Sequence, residues 1–293
     1  MQLSCRAVTP HCCLLGEGPV WDANAETICW VDILRGHIHQ FSTTHQQLHT
    51  LDVRDMVGAV ALCTNGNFMA ALKSGLAFID RHTGDTKLLH HPEMHLTGNR
   101  FNDGKCDPAG RFWIGSMDLS ERAAAGSLYM IDKDLSCSVK IKGVTISNGM
   151  AWSPDHGTFY YIDTPTSGVV AYDYERASGR IANMRPVITI PKDEGFPDGM
   201  TIDRDGMLWI AHWDGWEVSR WDPQSGKKLL SIRLPAARIT SCTFGGSDLR
   251  DLYVTSASVG LTDKQLTEQP LAGSLFVIQD CGSQGSGTYS FVH

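Results

Sequence analysis

Oxygen-bearing side chains recur in this sequence at a regular interval, each just ahead of a short apolar run. Aligned on the glycine that usually follows, the six equivalent positions are Glu17, Val57, Asp103, Asn148, Asp198 and Ser241. Carboxylate and amide oxygens are the ligands that hard divalent cations such as Ca²⁺ and Mg²⁺ prefer. One Asp, Asn or Glu beside a glycine is usually only a turn former. Four in the same register favour a metal site, because unpaired carboxylates held together away from water are costly.

The elements that position these residues are six similar repeats. Each begins with a β-rich run, turns at Asp, Asn, Pro or Gly, and continues into further apolar strands; the repeats cover residues 18–41, 59–84, 104–133, 149–179, 199–226 and 242–280. Their second strands align on Trp30, Met69, Trp113, Tyr160, Trp209 and Tyr253, which lie roughly 39 to 49 residues apart. That period is typical of one four-stranded propeller blade. No sustained helical period competes with it.

We therefore predict an all-β fold, a six-bladed β-propeller with a central metal site, formed as a single domain by residues 1–293. The innermost strand of each blade lines a central channel, so the six aligned positions converge on one axis. A spare strand at residues 3–8 is predicted to join the last blade beside the C-terminal strands and close the ring.

Composition narrows the possible partners. The 293 residues are 42% apolar with a formal net charge of −7, and the sequence has no basic run, which argues against a nucleic-acid partner. No stretch approaches the roughly 18 apolar residues of a membrane span, so no membrane partner is expected. The nine scattered cysteines include no Cys-x-x-Cys pair. We interpret them as mostly buried thiols of a cytoplasmic protein, with a surface redox thiol or one disulfide as the alternative.

Other motifs are expected to be structural. Residues 91–95 (His-Pro-Glu-Met-His) lack the spacing of a helical zinc motif and are predicted to form a surface loop. Residues 203–206 (Asp-Arg-Asp-Gly) resemble the start of a calcium loop, but the repeat assigns them to a hairpin turn. Trp30, Trp113, Trp209 and Tyr160 are predicted to pack between blades. His212, Trp213 and Trp216 follow the fifth second strand, where substrate wall and blade packing are equally expected.

Five segments carry a family resemblance that covers essentially the whole chain in order. They are Leu-Gly-Glu-Gly-Pro at 15–19, Asn-Arg-Phe-Asn-Asp-Gly-Lys at 99–105, Ser-Asn-Gly-Met at 147–150, Pro-Asp-Gly-Met at 197–200 and Ser-Cys-Thr-Phe-Gly-Gly at 241–246. They resemble the signature segments of the SMP-30/gluconolactonase family, also called regucalcin. The resemblance implies a six-bladed propeller whose central divalent cation supports hydrolysis of sugar lactones.

The resemblance also implies individual site residues. The family's metal ligands match Glu17, Asn148 and Asp198, and Asp198 also matches the proposed general base. The residues that hold sugar hydroxyls match Arg100 and Asn102. A substrate-binding Glu of the animal proteins falls near Ser120 or Glu121, which makes Glu121 a candidate, with Asp118 as the alternative. Asp103 is in register with the ligands but matches no family ligand, and is expected to orient its loop.

These residues predict a metal-dependent hydrolase that opens a sugar (aldono)lactone to the sugar acid, by attack of a water that Asp198 deprotonates. The alternatives are a non-catalytic calcium-binding regulatory protein and an interaction propeller with a structural metal. The cofactor is one divalent ion, with Ca²⁺, Zn²⁺, Mg²⁺ and Mn²⁺ all compatible with the ligand set. The particular lactone and the oligomeric state are left open.

Overall fold

A computed structural model describes residues 4–293, and in it the predicted repeats form six antiparallel four-stranded sheets. The first three blades consist of β2 (Gly16–Asp22), β3 (Thr27–Asp32), β4 (His37–Ser42) and β5 (Gln47–Asp52); β6 (Val57–Leu62), β7 (Phe68–Leu72), β8 (Gly75–Ile79) and β9 (Thr86–His90); and β10 (Asn99–Cys106), β11 (Phe112–Asp118), β12 (Gly126–Ile131) and β13 (Cys137–Val144).

The last three blades consist of β14 (Ser147–Trp152), β15 (Thr158–Asp163), β16 (Gly168–Glu175) and β17 (Arg180–Thr189); β18 (Phe196–Ile202), β19 (Leu208–Trp213), β20 (Glu217–Asp222) and β21 (Lys227–Arg233); and β22 (Ile239–Gly245), β23 (Asp251–Ser256), β24 (Ser274–Ile278) and β1 (Cys5–Cys12). The first strands β2, β6, β10, β14, β18 and β22 contact one another in sequence and β22 returns to β2. The fold is the predicted six-bladed β-propeller.

The ring closes through the N-terminal strand. β1 pairs antiparallel with β24, with Cys5 opposite Ile278 and Ala7 opposite Phe276. This confirms the prediction that the spare strand joins the last blade, although Leu3, its first predicted residue, lies outside the described residues. The last blade thus combines strands from both ends of the chain, so the backbone hydrogen bonds of one sheet hold the ring shut.

Aromatic residues of the second strands pack between blades, as predicted. Trp209 lies in a buried cluster with Phe244 of the next blade, at 5.7 Å between ring centroids. Trp113 packs in the same way on Trp152, also at 5.7 Å. The indole nitrogens of Trp113 and Trp209 donate to the buried turn carboxylates of Asp107 and Asp203, both at 2.9 Å. These hydrogen bonds connect the core between the blades to the hairpin turns.

Residues 203–206 and 91–95, which resemble parts of metal-binding motifs, have structural roles. Residues 203–206 form the hairpin turn between β18 and β19, where the Gly206 amide donates to the Asp203 carbonyl at 3.0 Å. Residues 91–95 form a loop between β9 and β10, but the side chain of Glu93 is buried rather than at the surface. Its carboxylate accepts from Ser116 at 2.7 Å and from Tyr129 at 2.8 Å. Glu93 therefore anchors this loop to the third blade.

The C-terminal segment crosses one mouth of the channel, which the sequence did not predict. The Arg204 amide donates to Gln284 of this segment, the ring of His156 contacts the Tyr289 hydroxyl at 2.9 Å, and the Phe291 amide donates to Leu62 at 2.7 Å. The segment thereby spans several blades, and access to the aligned positions is from the opposite mouth.

All nine cysteines are unpaired, and Cys13, Cys29, Cys63, Cys106, Cys242 and Cys281 are buried, in line with the prediction of mostly buried thiols. Helical structure in residues 4–293 is limited to short segments such as α1 (Asp263–Glu268). Within residues 4–293, no helix has the length and apolar character that a membrane span needs.

Candidate metal centre and substrate cavity

An irregularity of pairing at the same place in every blade builds the site. Each first strand shifts register against its second strand beside the aligned position, for example between Glu17 and Val20 and between Pro197 and Met200. The aligned residues therefore lie inside the strands, not ahead of them as the sequence suggested. An extra residue at a bulge turns its side chain out of the regular pleat. Three of the six aligned side chains, Glu17, Asn148 and Asp198, line one cavity at this level of the channel.

Close approach of the inner strands explains the glycine that follows most aligned residues. A Cβ at Gly149 would lie 2.8 Å from the Asp198 carbonyl oxygen, and a Cβ at Gly199 would lie 2.1 Å from the Ser241 hydroxyl. Adjacent inner strands thus touch backbone to backbone at this level of the channel. The glycines are what allow side chains from different blades to meet.

The structure brings together all six of the residues predicted for the site. Glu17, Asn148 and Asp198 line one cavity of about 590 Å³ with Arg100, Asn102 and Glu121. Glu17, Asn148 and Asp198 are each at most 6% exposed, and the charges of Glu17 and Asp198 act on each other. Asp103 is buried and does not line the cavity; its carboxylate accepts from the amide of Gly104 at 2.7 Å.

The carboxylates at the cavity floor are electrostatically frustrated. Burial, with the nearby charge of Asp103, raises the pKa of Glu17 to about 8. Burial and the charges of Glu17 and Asp103 raise the pKa of Asp198 well above its usual range. Arg100 and Lys105 supply partial compensation, and Lys105 is occupied by the Met200 carbonyl at 2.7 Å. A divalent cation is the charge that this set of oxygens would accommodate best, so the donor set fits the predicted metal.

A chain of hydrogen bonds orients the amide ligand. Arg100 Nη1 donates to Asn102 Oδ1 at 2.6 Å, and Asn102 Nδ2 donates to Asn148 Oδ1 at 3.0 Å. Asn148 Nδ2 then donates to Thr164 Oγ1 at 2.7 Å, which itself donates to the carbonyl of Pro197 at 2.8 Å. The chain fixes which atom of Asn148 is the oxygen and links it to the backbone just before Asp198.

Thr164 is a site residue that the sequence did not indicate. It follows β15 in a short turn outside the aligned positions, so the repeat carries no signal for it. Asn102 also differs from expectation in detail, because both hydrogens of its amide are engaged, by Ser147 and by Asn148. Its oxygen already accepts from Arg100. Asn102 therefore orients its neighbours as well as lining the cavity.

The loop after β11 presents Glu121 to the cavity, whereas Asp118 is used within the loop. Asp118 accepts from the Ser120 amide at 3.0 Å, and Glu121 lines the cavity near enough for its charge to act on Arg100. Trp213 also lines the cavity, with the Arg238 guanidinium 4.8 Å from its ring centroid. His212 is buried in blade packing, with its ring nitrogens against Ser219 and the Glu194 carbonyl.

The fold and the site together define a six-bladed propeller in which two carboxylates and one side-chain amide lie together in an open cavity. Residues 15–258 match the family model described as the SMP-30/Gluconolactonase/LRE-like region. Regucalcin of Danio rerio is 41% identical over 94% of both chains, and the putative sugar lactone lactonase YvrE of Bacillus subtilis (strain 168) is 39% identical over 91% of both. The solved structure of a calcium-binding protein, regucalcin, from Agrobacterium tumefaciens superposes with a TM-score of 0.94 at 28% identity, covering 99% of this chain and 98% of that one.

The chain belongs to the SMP-30/gluconolactonase family. The names of these relatives point both to lactone hydrolysis and to calcium binding. The resemblance inferred from five short segments is therefore confirmed over nearly the full chain.

Proposed function

We propose that this protein hydrolyses a sugar (aldono)lactone to its sugar acid with the help of one divalent metal ion. The observation that carries the proposal is the meeting of Glu17, Asn148 and Asp198 at the floor of a cavity that also contains Arg100 and Glu121. A cavity of about 590 Å³ has the size of a small-molecule site. The relative named as a putative sugar lactone lactonase supports the same substrate class.

Glu17, Asn148 and Asp198 are the residues that would hold the metal. A bound divalent ion would supply Lewis acidity to the ester carbonyl and make a nearby water easier to deprotonate. Asn148 contributes a neutral oxygen whose direction is fixed by Asn102 and Thr164. Mixed neutral and charged oxygens are compatible with Ca²⁺, Mg²⁺, Mn²⁺ or Zn²⁺.

Asp198 serves as the general base in this proposal. Its carboxylate accepts the proton of the attacking water as the lactone carbonyl becomes tetrahedral, and the proton then goes to the departing ring oxygen. The reaction needs no covalent bond to the protein.

The remaining cavity residues orient the substrate. The bonds that Arg100 makes to protein acceptors in the described chain all come from Nη1, which leaves its other donors to face sugar hydroxyls. Glu121 offers acceptor oxygens on the loop above. The walls include apolar groups such as Phe196 and Trp213, on which the carbon face of a sugar ring can pack.

A non-catalytic calcium-binding role is the second candidate, favoured by the relatives named regucalcin and by the one described as a calcium-binding protein. Such a role requires the metal oxygens but not the open cavity or Arg100. We also propose a cytoplasmic location, since a reducing compartment would keep the nine thiols unpaired as found.

The experiment that separates the two candidates is acid release from a panel of aldonolactones: gluconic, galactonic, xylonic, arabinonic and rhamnonic. The assay is run on chelator-treated protein and on the same protein after addition of Ca²⁺, Zn²⁺, Mg²⁺ or Mn²⁺. We expect hydrolysis of at least one lactone only with metal. Metal binding without release of acid from any lactone would establish the calcium-binding role instead.

A further inference from the structure

A second cluster of metal-binding groups lies away from the central cavity, at the seam where the ring closes. His11 belongs to β1 of the last blade, Cys13 follows that strand, and His39 lies on β4 of the first blade. One ligand atom from each of the three lies within 4.8 Å of the other two. The rings of His11 and His39 are 4.4 Å apart between centroids.

The nitrogens of this cluster lack the partners that buried polar atoms normally have. His39 is fully buried, and its Nε2 has no hydrogen-bond partner in the described structure. The same holds for His11 Nε2 and for Nδ1 of His37, whose ring is 5.7 Å from that of His39. Buried polar atoms without partners are rare in folded proteins and call for an explanation. Three such nitrogens in one place are available to bind a ligand.

The groups behind these atoms are arranged as they are around bound metals. Thr50 Oγ1 lies 2.8 Å from His39 Nδ1, which holds the ring and leaves Nε2 as its unpartnered nitrogen. The indole of Trp30 donates to Cys13 Sγ at 3.4 Å and so fixes the direction of the sulfur. Partners that orient imidazoles and tune sulfur ligands are a regular feature of metal sites.

We propose that His11, Cys13 and His39 bind a Zn²⁺ ion that joins the last blade to the first. Two imidazoles and a thiolate are ligands of borderline-soft metals and not of Ca²⁺ or Mg²⁺. Tetrahedral zinc places such ligand atoms about 3.5 Å apart, so a rotation of the partly exposed His11 side chain completes the approach. A fourth position remains for water. The ion stabilises the ring by linking β1 of the last blade to β4 of the first blade.

A second group of possible metal ligands lies equally close together, but its atoms already have partners within the protein. Glu194, His212 and Glu217 also have ligand atoms within 4.8 Å of one another. There, however, Lys228 Nζ lies 2.7 Å from Glu194 and 3.2 Å from Glu217, and both nitrogens of His212 have partners. The ammonium group already neutralises those carboxylates. The cation beside the seam cluster is Arg35, whose charge acts on all three groups, but its hydrogen bonds in the described chain go to the Cys12 carbonyl at 2.8 Å and to Asp32 at 3.3 Å and not to the proposed ligands.

The test uses Co²⁺ as a spectroscopic probe on the full chain after chelator treatment. A thiolate bound to Co²⁺ gives a near-ultraviolet charge-transfer band, which the oxygen ligands of the central site cannot produce. We expect the band in the wild type and in Glu17→Gln, its loss in Cys13→Ser, and its displacement by Zn²⁺. The matched control is Cys12→Ser, because Cys12 Sγ contacts Ser274 Oγ at 3.5 Å outside the cluster.

The partly exposed His11 gives a second variant that leaves the core intact. We expect His11→Ala to weaken Zn²⁺ binding at least tenfold and to reduce the rise in thermal midpoint on adding Zn²⁺. Absence of the band in the wild type, or its survival in Cys13→Ser, would overturn the seam site. Since Glu17→Gln leaves this site untouched, the result is independent of whether the central cavity hydrolyses lactones.

Discussion

Replacing Thr164 by Val should weaken metal binding at the central site without disturbing the propeller. The hydroxyl of Thr164 accepts from Asn148 at 2.7 Å and donates to the Pro197 carbonyl at 2.8 Å. Valine keeps the shape of the side chain and removes both interactions. Each hydrogen bond contributes about 0.5 to 1.5 kcal/mol, and the loss of a group that orients a ligand lowers metal affinity by about 10- to 100-fold.

The energy of the two hydrogen bonds taken together agrees with the expected loss of metal affinity, because a 10- to 100-fold loss corresponds to about 1.4 to 2.8 kcal/mol. The assay is calorimetric titration of the chelator-treated protein with Ca²⁺, an ion that histidine and cysteine do not favour, so that only the oxygen-lined site responds. Lactone hydrolysis measured against metal concentration should shift in parallel, with recovery when metal is saturating.

Two variants serve as controls for this measurement. Thr164→Ser retains the hydroxyl and should restore affinity to near the wild-type value. Thr166→Val removes a hydroxyl from the same turn that donates to the Asp163 carbonyl at 2.7 Å, away from the cavity, and should leave affinity unchanged. If Thr164→Val binds Ca²⁺ as tightly as Thr166→Val, the hydrogen-bond chain does not position Asn148.

Three further predictions concern the carboxylates. Asp198→Asn should abolish lactone turnover while the circular dichroism spectrum stays native, and a near-normal kcat would remove Asp198 from the mechanism. In metal-free protein Glu17 keeps its proton up to about pH 8, whereas the unfolded chain releases it near pH 4.5. Thermal stability should therefore fall as pH rises across that window and recover when metal is added, and a Glu17→Gln variant with the same pH slope would contradict this. Asp203→Ala leaves Trp209 and Arg220 without the buried carboxylate to which they donate at 2.9 and 2.7 Å. The substitution should cost about 3 to 5 kcal/mol in urea unfolding, against less than about 0.5 kcal/mol for the exposed Asp205→Ala, and equal costs would show that the buried pair is not stabilising.

Several features could be predicted from the sequence because they depend on local patterns. The period of the second strands, marked by residues such as Trp113 and Trp209, is enough to indicate six blades, since each blade is a local antiparallel meander. Repetition then aligns Glu17, Asn148 and Asp198 without any knowledge of their contacts. Strand alternation and turn residues are short-range properties, so composition and order along the chain determine them.

Other features depend on contacts between residues that are far apart in the chain, for which a repeat gives no signal. The bulges that turn Glu17 and Asp198 toward the axis arise from pairing between strands, and the link from Asn148 to Thr164 and on to Pro197 crosses from one blade to the next. The contact of His11 with His39 exists only because the ring closes on itself. The sequence by itself determined the blades and the chemical types at their centre, whereas the tertiary structure decided which side chains meet, because only closure of the ring sets distances between them.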